Sequence, residues 1–363
     1  MIIRSIELNN FRNYESLNIE FDNNINILYG DNAQGKTNLL EACYYTAISR
    51  SYKGSKDKDI VKFDKDFANI KSIIEKNDRE YEINIQIKKS KKKIITIDKV
   101  NIRKSSELLG LLNVILFSPE DLNIIKNGPS ERRRFIDSEL CQIDSIYLSD
   151  ISNYNKLLNN RNKLLKDISI DKSLKDTLDV WDMQLIKYGK KIIKRRREFI
   201  DELKLYVKDK HSAITGGKEE LIINYEPSID DIFFEDELIK KRDNDLKYCQ
   251  TSVGPHRDDI SFKIDGIDMR KFGSQGQQRC CALSLKLSEI DIVSNIIKEK
   301  PVLLLDDVLS ELDSNRQKLL LDSIEDIQTI ITCTGLDDFV NNRFDVNKIF
   351  KVVNGNLSEI KDI

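Results

Sequence analysis

The run Gly30-Asp31-Asn32-Ala33-Gln34-Gly35-Lys36-Thr37 sets two glycines, a lysine and a hydroxyl at the spacing G-x-x-x-x-G-K-[ST]. Glycines let successive backbone N–H groups curl round a phosphate, and a helix starting at the end of the run adds the positive end of its dipole. In such a loop Lys36 reaches the β- and γ-phosphates of a bound nucleotide and the Thr37 hydroxyl holds Mg²⁺. Gly30 through Thr37 are therefore the expected ATP-binding residues.

A second site is needed for the rest of the chemistry. Val302-Leu303-Leu304-Leu305-Asp306-Asp307 is an apolar run ending in two acids. At the C-terminal end of a strand, Asp306 is placed to hold Mg²⁺ through water, and Asp307 to orient and deprotonate an attacking water. Lys36, Asp306 and Asp307 are thus the candidate catalytic residues, and Thr37 and Asp306 the candidate Mg²⁺ ligands. About thirty residues earlier, Ser274-Gln275-Gly276-Gln277-Gln278 opens a helical pattern with a serine cap and a glycine that permits close approach. Ser274, Gly276 and Gln277 make a second phosphate-binding design. Either element alone is an ordinary capped helix or strand edge. Their order after the P-loop, followed by Ser310-Glu311-Leu312-Asp313, gives both a common purpose.

The elements that must position these residues follow from periodicity. Ile2–Leu8 and Leu17–Phe21 alternate as strands, Ile25–Tyr29 is a short strand stopping at Gly30, and Asn38–Ile48 has a helical period. Three β-rich stretches lie near Ile70–Glu75, Tyr81–Lys88 and Lys93–Asp98, with turns at Lys76–Asp78 and Lys89–Lys92. Ser145–Lys166 and Leu174–Lys210 read as charged helices, interrupted after that by Gly216-Gly217 and Pro227. A helix is expected at Gln275–Ile297, strands at Val302–Leu305 and Thr329–Cys333, and a small β piece at the C-terminus. The pattern predicts an α/β P-loop ATPase lobe, a mixed sheet with helices, interrupted by a compact helical lobe. Residues 1–129 form its N-terminal part with the P-loop, 130–250 the helical insertion, and 251–363 the C-terminal part with the signature and Walker B motifs.

Composition narrows the class. The formal net charge of the 363-residue chain is -2, so a nucleic-acid partner must be met by local patches. Lys187, Lys190, Lys191, Lys194, Arg195, Arg196 and Arg197 fall within one helical run free of acids, and Lys187, Lys191, Lys194 and Arg195 share one side. They are the DNA-contact candidates, beside the ordinary reading of a solvated face. Lys88–Lys93 is a second basic tip. The Arg132–Arg134 run fits structural pairing, and His256 a hydrogen-bonded hinge. The six cysteines form no C-x-x-C pair and the two histidines lie apart from them, which argues against structural zinc and for reduced thiols. The opening MIIRSIELNNF has no apolar leader and no long apolar run follows, so a cytoplasmic location is expected.

The order of motifs resembles the ABC-type ATPases of the SMC class and, within it, the RecF family of bacterial DNA replication and repair proteins. Leu8–Tyr14, Phe117–Leu122, Arg132–Asp137, Gly254–Asp259, Ser274–Gln278 and Leu304–Asp313 carry the resemblance from end to end. It implies that Ser274 of one subunit caps the γ-phosphate held by the other, with Ser310–Asp313 crossing that interface. It also implies an ATP-dependent homodimer, weak DNA-stimulated hydrolysis to ADP and phosphate, and binding of single- and double-stranded DNA at gaps. RecR is the implied direct partner, with RecO and RecA functional ones, in recombinational repair, replication and SOS induction. Two departures stand out. Thr332-Cys333-Thr334 occupies the place of a switch histidine, making a threonine hydroxyl the expected γ-phosphate sensor. No glutamine marks the lobe junction, leaving Glu120 or Asp121 for that role. The alternatives are the motor subunit of a membrane transporter, a long-armed chromosome-maintenance ATPase and a small P-loop kinase. The long Thr37–Gln275 spacing speaks against the first. An insertion of about 120 residues, whose two arms would reach roughly 90 Å at most, speaks against the second. The unused Ser274–Gln278 speaks against the third.

Overall fold

The computed structural model describes residues 1–324, 326–335 and 346–360, with the side chain of Glu311, within the expected interface run, outside the described set. The chain forms two compact units, one of residues 1–121 with 289–363 and one of residues 122–288.

The first unit carries two sheets. Its N-terminal part supplies β1 (Ile2–Phe11), β2 (Tyr14–Glu20), β3 (Ile25–Tyr29), β4 (Phe67–Lys76), β5 (Arg79–Lys88), β6 (Lys91–Ile97), β7 (Val100–Asn101) and β8 (Val114–Phe117). In the antiparallel sheet, ordered β2-β1-β4-β5-β6-β7, β4 and β5 bury alternate residues, so one face meets the core. Asn77 and Asp78, both left-handed (φ 49° and 58°), make the tight β4–β5 turn, a conformation these two residue types tolerate better than most.

In the second unit β9 (Leu221–Glu226), β10 (Asp259–Ile264) and β11 (Ile267–Asp268) make a small antiparallel sheet. The C-terminal part of the first unit adds β12 (Val302–Asp306), β13 (Thr329–Cys333), β14 (Lys348–Val353) and β15 (Asn356–Ile360). With β3 and β8 these build the second sheet of the first unit, ordered β15-β14-β3-β13-β12-β8. All its pairings are parallel except β14 with β15. Every residue of β12 and β13 is buried, as expected for strands covered on both faces. The helix Lys36–Ile48 shares one core with both sheets: Leu39, Leu40, Cys43 and Tyr45 pack with Ile6, Ile70 and Ile85 and with Leu28, Leu304 and Ile330. Ligands of parallel α/β sheets sit beyond the carboxyl ends of the strands. β3 ends one residue before Gly30, and β12 ends at Asp306.

The second unit contains the helices Pro129–Ile143, Ser145–Ile170 and Leu178–Thr215, the last closed by Gly216 at φ 65°. The boundary expected at residues 250 and 251 shifts. Residues 251–288 belong with the helical unit because β10 pairs with β9 from Asp259↔Glu226 to Ile264↔Leu221. The insertion is also not wholly helical, since β9 lies inside the segment expected as helix and loop. Three fully buried arginines lock this unit: Arg132 on Asp259, Arg161 on Asp182 and Asp245, and Arg196 on Asp137 and Asp258. The Arg132 donors are met by the Asp259 carboxylate and the carbonyls of Ile124 and Asn127, as a buried guanidinium requires, so Arg132 serves the structural pairing expected of it. His256 is likewise held on both ring nitrogens, Nδ1 2.8 Å from the Tyr154 hydroxyl and Nε2 3.0 Å from the Thr251 carbonyl.

Candidate functional site

The P-loop runs from the end of β3 into the helix that begins at Lys36. Gly30 (φ 148°) and Gly35 (φ 118°) hold conformations that disfavour side chains, and a Cβ on Gly30 would lie 2.4 Å from the Val352 carbonyl oxygen. The loop is held from outside. Asn13 Nδ2 donates to the Gln34 carbonyl (3.1 Å), the Tyr14 hydroxyl to the Gly35 carbonyl (3.0 Å), and Asn354 N–H to Gln34 Oε1 (2.7 Å). Gln34 therefore ties the loop to the β14–β15 turn. The loop leaves Asp31, Asn32 and Ala33 exposed, with Ala33 left-handed at φ 64°. Lys36, 4% exposed, donates to the carbonyls of Gly30 and Asp31, the latter at 2.8 Å, which places its ammonium inside the curl of the loop.

Three hydroxyls converge on the first acid. Thr37 Oγ1 and Thr332 Oγ1 each donate to Asp306 Oδ1 at 2.9 Å, and the Tyr52 hydroxyl donates to Oδ2 at 2.7 Å. Burial, then the Asp306 charge, holds the Tyr52 phenol protonated, far above its ordinary range, so it remains a donor. Parallel register explains part of this gathering: Asp306 lies opposite Thr332, and Cys333 opposite Tyr29. Asp307 follows in a left-handed conformation (φ 55°), its N–H donating to Thr332 Oγ1 at 3.0 Å. Thr332 is thus committed to both acids and fully buried, whereas the hydroxyl-bearing Thr334, just past the strand, is exposed. Neither Tyr52 nor this role of Thr332 was legible in the sequence. Tyr52 lies 254 residues from Asp306, and no spacing rule joins them.

The oxygens fit the expected cation. Thr37 Oγ1 donates to Asp306 Oδ1 at 2.9 Å, which leaves its lone pairs for a Mg²⁺ that the carboxylate would meet through water. Among the described residues no group of three or more His, Cys, Asp or Glu could hold a metal by itself. Asp121 accepts the Ser118 N–H at 2.8 Å and so closes the turn after β8, while Glu120 stands exposed beside it.

The signature residues belong to the second unit, at the start of the helix Gln275–Ile297. Gln277 N–H donates to Ser274 Oγ (3.2 Å) and Ser274 N–H to Gln277 Oε1 (3.1 Å), a reciprocal cap. Gly276 is exposed, and a Cβ there would meet only Ser274 Oγ, 3.9 Å away.

The basic face is less open than its sequence implies. Arg195 pairs with Asp144 (2.9 Å), Lys191 with Asp150 (3.8 Å), Lys190 with Glu235, and Arg197 with Asp230 and Asp231. Lys187 and Lys194 stand exposed on it. At the other basic tip Lys93 folds inward onto Tyr45 and Asp57, leaving Lys91 and Lys92 exposed. All six cysteines are free thiols, and among the described residues no helix is long and apolar enough to cross a membrane.

A family model described as the RecF/RecN/SMC N terminal domain matches residues 2–357. The chain is 63% identical over 362 residues to the DNA replication and repair protein RecF of Agathobacter rectalis, spanning 100% of both chains. It is 46% identical over 367 residues to the protein of the same name from Clostridium botulinum, spanning 99% of this chain and 100% of that one. Among solved structures, the recombination mediator protein RecF-ATP in the RecFOR pathway superposes with a TM-score of 0.93 at 38% identity, covering 99% of this chain and 97% of that one. The Smc head domain from Pyrococcus furiosus, bound to the C-terminal domain of ScpA, gives 0.58 at 16% identity over 99% and 95%, a likeness of fold. The P-loop, the acids at the end of β12 and full-length identity agree, against the transporter reading: the chain belongs to the RecF family of DNA replication and repair proteins.

Proposed function

We propose that this chain is an ATP-switched DNA-repair ATPase: two copies close around two ATP molecules, bind DNA at single-strand gaps, and release it after hydrolysis. The observation that carries this reading is the convergence of Thr37, Thr332 and Tyr52 on Asp306 beside the P-loop. Bound Mg²⁺–ATP supplies the γ-phosphoryl bond that is broken. Lys36 and the N–H groups of Gly30–Thr37 neutralise phosphate charge, and Thr37 with Asp306 holds the cation. Asp307 takes the proton of the attacking water. Ser274, Gly276 and Gln277 of the second copy close the site, so hydrolysis is weak in a lone subunit and rises when DNA favours the closed dimer.

DNA contact falls to the exposed face of Lys187, Lys191, Lys194 and Arg195, with Lys187 and Lys194 making the greater share because the other two have acidic partners. A solved relative is named a recombination mediator protein in the RecFOR pathway, which supports RecR as a direct partner and RecO as a functional one; RecA is the further functional partner in this reading. Mass measurement with ADP, then with ATP, each with and without gapped DNA, tests the reading. A dimer only with ATP, strengthened by gapped DNA, is expected; an unchanged monomer in all four samples refutes it.

A further inference from the structure

The signature serine depends on a glutamine whose amide must point one way. Gln277 completes the cap only with Oε1 toward the Ser274 N–H, at 3.1 Å, so its Nε2 must find an acceptor elsewhere. Glu219 Oε1 is that acceptor, at 3.0 Å. An ionised carboxylate only accepts, so it can take the nitrogen end of the amide and never the oxygen end. The other oxygen of Glu219 lies 3.5 Å from Nε2 of the fully buried His211. Ser284 gives its proton to the Cys280 carbonyl (2.7 Å), so His211 Nδ1 donates to Ser284 Oγ (3.0 Å) and the neutral ring has no proton on Nε2 for Glu219. The bond from Gln277 is therefore what joins Glu219 to the helix that carries the cap.

We propose that Glu219 is a positioning residue for the signature motif, fixing the Gln277 amide so that the Ser274 hydroxyl accepts the Gln277 N–H and keeps its own proton for a phosphate oxygen. This rests on the reading of Ser274 as the contact to the γ-phosphate held by the second copy. Without Glu219 the amide is free to flip, which would set Nε2 against the Ser274 N–H, two donors face to face. A partly exposed, charge-assisted bond of this kind shifts the cap equilibrium roughly three- to tenfold. A closed dimer uses two caps, so dimerisation should weaken about ten- to a hundredfold.

The test uses the full chain with Ser274→Ala, Glu219→Ala, Glu219→Gln, Gln277→Glu, and the exchange pair Glu219→Gln with Gln277→Glu. Amide hydrogen exchange over Ser274–Gln278 without ATP reads the cap; ATP affinity of the single subunit and the ATP-driven dimer constant read its use. Glu219→Ala should speed exchange three- to tenfold, leave single-subunit ATP affinity unchanged, and weaken the dimer ten- to a hundredfold. Glu219→Gln keeps an acceptor oxygen and should stay within about threefold of the parent. Gln277→Glu sets two carboxylates together and should open the cap, whereas the exchange pair restores one donor and one acceptor and should return to within about threefold. The pair carries the test if Glu219→Ala does not fold. Unchanged exchange in Glu219→Ala, or an exchange pair no better than Gln277→Glu alone, overturns the role of Glu219. Normal dimerisation of Ser274→Ala instead overturns the reading of the serine, so the two failures are distinguishable.

Discussion

Replacing Thr332 by Val removes one hydroxyl and almost no volume at the point where both acids are held. The lost bonds are the donor to Asp306 Oδ1 at 2.9 Å and the acceptor for Asp307 N–H at 3.0 Å. A hydrogen bond to a charged group contributes about 1.5–3 kcal/mol, and withdrawing the acceptor of the part-buried Asp307 N–H costs about 1 kcal/mol, the low end of the buried range. These two groups share one oxygen and are not additive, so a loss of about 2–4 kcal/mol is expected. In a unit of about 200 residues this lowers Tm by roughly 4–16 °C. Differential scanning calorimetry of Thr332→Val against Thr332→Ser reads the effect, since the serine keeps the hydroxyl and loses only a methyl group. ATP turnover should fall with it in the valine variant, because Asp306 and Asp307 lose their common anchor. If valine and serine unfold and turn over alike, the hydroxyl does not hold the acids and the description of the site is wrong.

Lys36→Ala should abolish nucleotide binding with the fold kept, and Lys36→Arg should retain some binding while losing turnover, because the guanidinium fork does not fit where the ammonium sits; a titration of ATP affinity and turnover for each checks this. Burial, with Arg257 and Arg133 nearby, pushes His256 down to about 4. The neutral ring is thus the folded form, so its stabilisation is complete above the unfolded value near 6.5 and is lost as pH falls from there toward 4, at about 1.4 kcal/mol per unit. Urea unfolding at pH 7 and pH 4.5 should show that loss, and His256→Gln should shrink it. Lys187→Ala with Lys194→Ala should flatten the salt dependence of DNA binding by about two counterions per bound subunit; an unchanged log–log slope moves the contact elsewhere, with Lys91 and Lys92 next.

What the sequence made legible is local. The helix Gln275–Ile297 and the strand Thr329–Cys333 begin and end where their caps and apolar runs say, because each is decided by its own residues. The P-loop likewise announces itself, since its glycines answer a backbone need within eight positions. The strand β9 is hard to read from the sequence although Leu221 and Ile223 alternate between Gly216-Gly217 and Pro227, because a period-two signal this short is lost among long helices. The unit boundary is equally hidden, because β9 recruits β10 through pairings that no single segment encodes. The supports of the site were the least legible. Tyr52 reaches Asp306 and Glu219 reaches Gln277 only after the chain has folded, over separations of 254 and 58 residues. The basic run shows the reverse error: charge was visible, but the acids that pair with Lys191 and Arg195 come from another helix and its cap.

In the proposed cycle ATP closes two copies on shared sites and hydrolysis opens them. Asp307→Asn tests it most directly, because asparagine tolerates the left-handed backbone there and keeps a polar handle while removing the base. With saturating ATP, light scattering should give a dimer mass for this variant that persists while the parent's decays. Ser274→Arg should stay at the monomer mass and still bind ATP. A monomer mass for Asp307→Asn under saturating ATP contradicts the shared-site account.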